Sequence, residues 1–169
     1  MKNRFMQIIV GTFLGLLMLF GGTQLVSGQR NVRQAEEHSI EGVWRVTITP
    51  RNCDTGVPIP TAAFAALFTF HKGGTQSVSL PNSPITITRS PAHGLWQREH
   101  GRGDYSFKFV HLRYDLATGA YLGSQVARGT LRLSERGDQF TTDAQTQLFD
   151  VNGHLTITGC SNSVGTRFE

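Results

Sequence analysis

The sequence predicts an all-β protein, a single antiparallel and mostly up-and-down β-barrel of about eight strands. Apolar and polar residues alternate with period two in several segments, which is typical of half-buried strands. Short turns rich in Gly, Pro, Asn and Asp separate these segments. No segment after residue 41 carries a convincing helical period. Because a meander leaves exposed edges unless it closes, we expect a barrel, with a two-sheet sandwich as the alternative.

The N-terminal residues predict export. Lys2 and Arg4 precede the almost wholly apolar stretch 5–20, and the small residues 26–28 offer a cleavage point. This order is that of a secretory signal peptide over residues 1–28. An uncleaved anchor is the alternative, but the apolar stretch is shorter than the roughly 20 residues that span a bilayer. We therefore expect a secreted or periplasmic protein with no stable membrane span after cleavage.

Residues 29–40 are polar and lack aromatic side chains, which predicts a flexible leader before a barrel domain over 41–169. The chain has a formal net charge of +4, and two of its cations, Lys2 and Arg4, lie in the expected signal peptide. The rest of the chain is nearly neutral. Its composition therefore gives no argument for a nucleic acid partner, and it leaves the oligomeric state open.

The first strands follow from alternation and turn chemistry. Segment 43–49 alternates strictly, and its apolar face carries Trp44, Val46 and Ile48. A loop at 50–60 precedes a strand at 65–71, with a short helical turn possible where the loop ends. Residues 72–75, Lys-Gly-Gly-Thr, are a hairpin signal that leads into a weak strand at 75–80.

The later strands are longer and better marked. The expected segments are 85–88, 95–99, 105–116, 120–133 and 139–149. The last of these places Phe140, Thr142, Ala144, Thr146 and Leu148 on one face. Asn152-Gly153 is the strongest short hairpin signal. It precedes a final strand in which Leu155, Ile157 and Gly159 share a face.

The strand 105–116 changes its apolar phase. Tyr105, Phe107 and Phe109 face one way, whereas the later apolar residues lie on the opposite face, which puts His111 and Arg113 in line with the aromatics. A bulge near residues 109–111 would restore the phase. Without a bulge, the barrel interior turns polar, and an inward His or Arg could orient a ligand. The pattern leaves both interpretations open.

Two cysteines remain in the expected exported chain, Cys53 and Cys160. In an oxidising compartment such a pair predicts a disulfide. The bridge would tie the end of the first strand to the last one. It would close a loop of roughly 100 residues, for which chain entropy gives about 4–5 kcal/mol. A four-cysteine zinc site is excluded.

Gly42-Val43-Trp44 opens the first strand and resembles the Gly-x-Trp signature that opens the first strand of lipocalins and other calycins. Residues 41–168 as a whole look like a small secreted bacterial lipocalin-like domain. A weaker resemblance is to barrels of the allene oxide cyclase and dirigent type. Both resemblances imply an eight-stranded barrel around an apolar cavity, and the first implies that Trp44 is buried at the closed end.

The candidate ligand-binding residues are the strand aromatics together with the two polar residues that continue their face. They are Trp44, Phe68, Phe70, Trp96, Tyr105, Phe107, Phe109, His111 and Arg113. The aromatics either line a cavity or fill the core, since eight strands enclose a barrel at the boundary between hollow and filled. An inward Arg113 would need a carboxylate partner or an anionic ligand group, which suggests an apolar molecule with an acidic head, such as a fatty acid.

No catalytic set can be named. The histidines match no metal spacing, the acids lie mostly in turns where they cap backbone amides, and no nucleophile elbow or phosphate loop is present. We expect no metal site and no cofactor. The leading function is a carrier of a small apolar ligand. The alternatives are a structural or interaction module of the cell envelope with a filled barrel and, more weakly, an isomerase or cyclase in the same cavity.

Overall fold

The computed structural model describes residues 39–81 and 86–168, and every long element among them is a β-strand. The strands are β1 Gly42–Arg51, β2 Phe64–Phe70, β3 Thr75–Ser79, β4 Ile87–Arg89, β5 Ala92–Arg98, β6 Asp104–Asp115, β7 Tyr121–Leu133, β8 Gln139–Phe149 and β9 Leu155–Arg167. One 3-10 turn, Pro60–Ala62, precedes β2. The predicted strands are therefore all found, with shifts of a few residues at their ends.

The strands form a closed antiparallel barrel. Strands β1 to β3 and β5 to β9 each pair with the next along the chain, β3 pairs with β5, and β1 closes the ring by pairing with β9. Both β4 and β5 pair with β6, one after the other along the same side. The Ser90 amide donates to the Leu112 carbonyl oxygen between them, whereas Pro91 has no amide hydrogen to donate. The ring thus has eight strands, with β4 as an additional short strand, and the up-and-down prediction is confirmed.

The alternation in the sequence places apolar side chains inside the barrel. In β1, Trp44, Val46 and Ile48 are buried while the residues between them face outward. Every strand except β9 and the three-residue β4 contributes buried side chains to the hydrophobic core. β9 crosses this core with small residues, and a side chain at Gly165 would collide with the Phe140 ring, 2.3 Å from its position.

The β6 strand has no bulge at residues 109–111. Its pairing with β7 runs without interruption from Asp104 to Arg113, and the register shifts only between Arg113 and Tyr114. His111 is therefore inside the barrel and 1% exposed, while Val110 on the opposite face is 42% exposed. The bulge interpretation is wrong, and the interior does turn polar along this strand.

The disulfide prediction is confirmed. Cys53 is bonded to Cys160, with their Cα atoms 5.2 Å apart. The bridge fastens the loop after β1 to β9 beside the Arg51–Cys160 pair of the β1–β9 ladder.

The predicted signal peptide, 1–28, lies outside the described residues. Of the predicted leader, 29–40, the structure describes the last two residues, Ser39 and Ile40, and Ile40 is completely buried. No helix within the described residues is both long and apolar enough to cross a bilayer.

Candidate functional site

One end of the barrel interior is filled, and we call it the sealed end. Trp44 and Ile40 there are 0% exposed, and the Trp44 indole N–H donates to the Ile40 carbonyl oxygen at 2.9 Å. The Phe140 ring meets the Trp44 ring edge-on, with centroids 4.9 Å apart. Trp44 is thus buried at the closed end, as the Gly-x-Trp resemblance implies.

Arg167, which is directly opposite Trp44 in the β1–β9 ladder, covers the sealed end. Its guanidinium lies 4.3 Å from the centre of the Trp44 ring. The same group donates to the carbonyl oxygens of Ser39, Glu41 and Gly137 at 2.7 to 2.8 Å. Gly42 has a φ of +125°, and a Cβ at that position would lie 2.9 Å from the Arg167 guanidinium. The positive φ therefore favours glycine at this position, and a Cβ would in addition displace the end of the Arg167 side chain.

Three of the predicted ligand-binding aromatics extend this packing instead of lining a cavity. Phe70 packs edge-on against Phe140 and against Trp96, and Trp96 packs against Tyr105. The Trp96 indole N–H donates to the carbonyl oxygens of the β2–β3 hairpin. These three rings therefore fill the core and do not line a cavity.

The other end of the interior, the cavity end, holds a partly open cavity of about 220 Å³. Its apolar wall is formed by Ile48, Pro50, Phe64, Phe68, Leu80, Phe107, Phe109, Ala127 and Ala144. Its polar positions are Arg89, Gln125, Thr146, Ser161 and Ser163, and Gly159 and Cys160 complete the lining. Among these residues there is no aspartate or glutamate.

Phe68, Phe107 and Phe109 are the predicted residues that do line the cavity. The Phe107 and Phe109 rings are nearly parallel, at 12°, with centroids 6.1 Å apart. The Phe68 ring meets Phe109 at 80° and 5.9 Å. Because the three rings hold one another in place, this wall is a preformed apolar surface.

A cluster of basic side chains lies beside this wall. Arg89 of β4 is directly opposite Arg113 of β6 in the ladder, so both side chains are on the same face of the sheet, and Arg89 lines the cavity. Arg113 continues the inward face of Phe109 and His111. No carboxylate among the described residues forms an ion pair with Arg113. We call Arg89 and Arg113 the arginine pair.

His111 is neutral at physiological pH in this setting. Burial, together with the charges of Arg89 and Arg113, lowers the pKa of His111 to about 4. Gln125, its partner across the β6–β7 ladder, opposes this fall in pKa, yet no hydrogen bond of acceptable geometry reaches either ring nitrogen. His111 therefore offers one donor and one acceptor that no described protein group uses.

Two more inward polar groups are buried without hydrogen-bond partners among the described residues. They are the side-chain amide of Gln76 and the hydroxyl of Thr142. A buried polar group of this kind costs about 1–3 kcal/mol unless something satisfies it. Neither residue is among those that line the cavity, so this cost belongs to the packed interior.

The sequence pattern misses several cavity residues. Arg89 lies on a three-residue strand next to Ser90-Pro91, which is too short to show alternation. Ser161 and Ser163 are small polar residues that would be assigned to the outside of a barrel. The alternation of strand faces, counted from Cys160, could have identified the two serines. The Cys53–Cys160 disulfide fixes where β9 meets the end of β1, and so fixes where this count begins.

Outside the barrel, Asp143 is solvated as expected from its face, with 61% of its side chain exposed, and it accepts both of its hydrogen bonds from Arg51. No group of three or more His, Cys, Asp or Glu side chains among the described residues is arranged to hold a metal ion.

Comparison of the chain with family models, with curated proteins and with solved structures finds no match. The class that the fold defines is an eight-stranded antiparallel barrel with one additional strand, a disulfide and an internal cavity. This architecture is compatible with a lipocalin-like fold.

Proposed function

We propose that this protein is an exported, lipocalin-like carrier or scavenger that binds a small apolar molecule inside the barrel without covalent chemistry. The observation that carries the proposal is the cavity of about 220 Å³ behind a preformed wall of phenylalanine side chains. Apolar surface released from water on binding supplies about 25 cal/mol per Å². The disulfide supports an oxidising compartment outside the cytoplasm.

The size of the cavity limits the ligand. An engineered apolar cavity of about 150 Å³ is known to bind benzene. The cavity here has room for one aromatic ring and a few further atoms, and it lies below the roughly 300–1,000 Å³ typical of drug-sized sites. A long-chain fatty acid would leave most of its length outside, so a compact ligand is favoured.

The test is binding of toluene, measured as the rise in melting temperature and by calorimetry. Ala144 lines the cavity, so Ala144→Phe should fill it and abolish binding. The matched control is Gln145→Phe, at the next, outward-facing position of β8, which should bind like the wild type. Equal toluene affinity in both variants, or none in the wild type, would contradict the proposal. Native mass spectrometry would show whether the protein retains a natural ligand.

A second candidate, a structural or interaction module of the envelope, is favoured by apolar side chains on the outer wall. Leu67 and Val164 are 48% and 52% exposed and line one shallow groove across β2, β1 and β9. If this surface carries the function, Leu67→Ser should abolish the association of the protein with its envelope partner, measured by sedimentation. The same variant should bind toluene like the wild type.

A further inference from the structure

The β9 side of the cavity presents hydroxyl groups. Ser161 and Ser163 both line the cavity, two residues apart on the inward face of β9. In the ring of strands, β7 and β8 separate β9 from β6. The two serines therefore lie across the cavity from Phe107 and Phe109. These two rings and Phe68 form the apolar wall, which we call the phenylalanine wall.

The Ser163 hydroxyl is buried and unpaired. Ser163 is 6% exposed, and neither its hydroxyl nor that of Ser161 forms a hydrogen bond with a described residue. Thr142 is directly opposite Ser163 in the β8–β9 ladder, yet the two hydroxyls do not bond to each other. Unlike Thr142, Ser163 lines the cavity, so a bound molecule reaches its hydroxyl. A buried hydroxyl without a partner is unfavourable, and a ligand group that bonds to it removes that cost.

Ser161 supplies a second hydroxyl for the same ligand group. Residues two apart on one face of a strand are separated by about 7 Å along the strand. A serine hydroxyl donates one hydrogen bond and also accepts. A single ligand hydroxyl between the two serines, about 2.8 Å from each oxygen, would therefore donate to one of them and accept from the other.

The other polar groups of the lining favour a neutral ligand group. Arg89, the charged residue of the lining, donates a hydrogen bond to the carbonyl oxygen of Pro81, which does not line the cavity. The remaining polar side chains, those of Gln125 and Thr146 beside the two serines, are uncharged. Hydrogen bonding between neutral groups is therefore the recognition that most of this lining offers.

We propose that the cavity selects compact apolar molecules that carry one hydroxyl group, with Ser161 and Ser163 bonding the hydroxyl and the phenylalanine wall holding the apolar part. This inference rests on the proposed carrier function and narrows its ligand class to small phenol-like molecules. Selectivity arises because an analogue of the same shape without the hydroxyl leaves the buried serine unpaired.

The probes for the test are phenol and toluene, which differ by a hydroxyl in place of a methyl group. Both are titrated by calorimetry at neutral pH, where phenol is uncharged because a phenolic pKa is about 10. The wild type should bind phenol at least as tightly as toluene. A cavity that offered no hydrogen bonds would prefer toluene, because phenol gives up its hydrogen bonds to water on entering.

The decisive variants remove one hydroxyl each. Ser163→Ala should weaken phenol binding about fivefold and Ser161→Ala about threefold, as expected for the loss of one neutral hydrogen bond. Toluene binding should stay within about twofold of the wild type, which also reports that each variant is folded. The matched control is Ser124→Ala on the outer face of β7, next to Gln125, and it should bind both probes like the wild type.

Two results would overturn the hydroxyl proposal and leave the carrier function in place. One is tighter binding of toluene than of phenol by the wild type. The other is unchanged phenol affinity in both serine variants. Binding of neither probe would overturn the carrier function as well. If Ser163→Ala does not fold, Ser161→Ala still decides the outcome.

Discussion

The sealed end and the cavity end share the same eight strands and differ in what their inward positions carry. At the sealed end, Phe140 reaches across to Gly165, and Trp44 is closed off by Ile40. At the cavity end, the inward positions of β7, β8 and β9 carry small side chains, namely Ala127, Ala144, Ser161 and Ser163. Because the strand number is the same at both ends, side-chain volume decides whether a barrel of this size is filled or hollow.

The largest expected effect lies at the sealed end. Trp44→Ala removes a completely buried side chain. Its ring contacts Phe140 and lies against the Arg167 guanidinium. It should lower the free energy of unfolding by about 3–5 kcal/mol, the usual cost of emptying a large aromatic site. Urea unfolding measures this cost. Phe64→Ala at the cavity end should cost clearly less, since Phe64 is only half-buried and already faces open volume. Equal costs would remove the distinction between the two ends.

The second effect is a pH dependence that belongs to the cavity end. The pKa of His111 is about 4 in the folded protein and about 6.5 in an unfolded chain. Between these values the unfolded chain binds a proton that the folded protein does not. Stability should therefore fall as the pH is lowered from about 6.5 to about 4, by up to about 3 kcal/mol, and this contribution should level off below pH 4.

The measurement is the free energy of unfolding of wild type and His111→Gln across that pH range. The variant should lack the decline between pH 6.5 and 4. Exposed acids such as Asp115 and Asp138, whose pKa values are lowered by hydrogen bonds from Thr118 and Ser134, lose their contribution at lower pH and do so in both proteins. Parallel curves for the two proteins would show that His111 is not held neutral.

The smallest effect concerns the arginine that fastens the sealed end. Arg167→Lys keeps the charge, but an ammonium group cannot reach the carbonyl oxygens of Ser39, Glu41 and Gly137 together. We expect a loss of about 1–3 kcal/mol from the acceptors left unpaired. The control is Arg45→Lys, whose guanidinium lies 4.8 Å from the centre of the exposed Phe168 ring. It should cost less than about 1 kcal/mol. Similar losses in both variants would mean that the three hydrogen bonds of Arg167 add nothing to the free energy of unfolding.

The fold was largely predictable because period-two alternation and turn residues are local signals. The pattern Trp44, Val46, Ile48 corresponds to an inward face in the structure, and the strict alternation of 139–149 corresponds to β8 in full. Period-two alternation predicts burial least well where strands extend beyond the core. Ile157 shares a face with Gly159 as expected, yet it is 57% exposed. The β1–β9 ladder reaches only as far as Cys160, so within the described residues β9 at Ile157 pairs with β8 alone.

The candidate site was only partly predictable, and β6 shows why. The sequence contains the inward row of Phe107, Phe109, His111 and Arg113, but alternation is equally consistent with a bulge that would turn His111 outward. Only the uninterrupted pairing with β7 decides between them. Arg89 could not be found at all from its own segment, since a three-residue strand carries no period.

The sequence was enough to define an all-β domain, its up-and-down order and the residues of its disulfide. Strand faces and turns are encoded within a few residues, and Cys53 and Cys160 are the only two cysteines. Pairing between strands decided the rest. It placed Ala144 and Ser161 across from the phenylalanine wall, which left the cavity, and it set Arg89 beside Arg113. Empty volume and the repulsion of like charges depend on distances between segments far apart in sequence, so no local pattern specifies them.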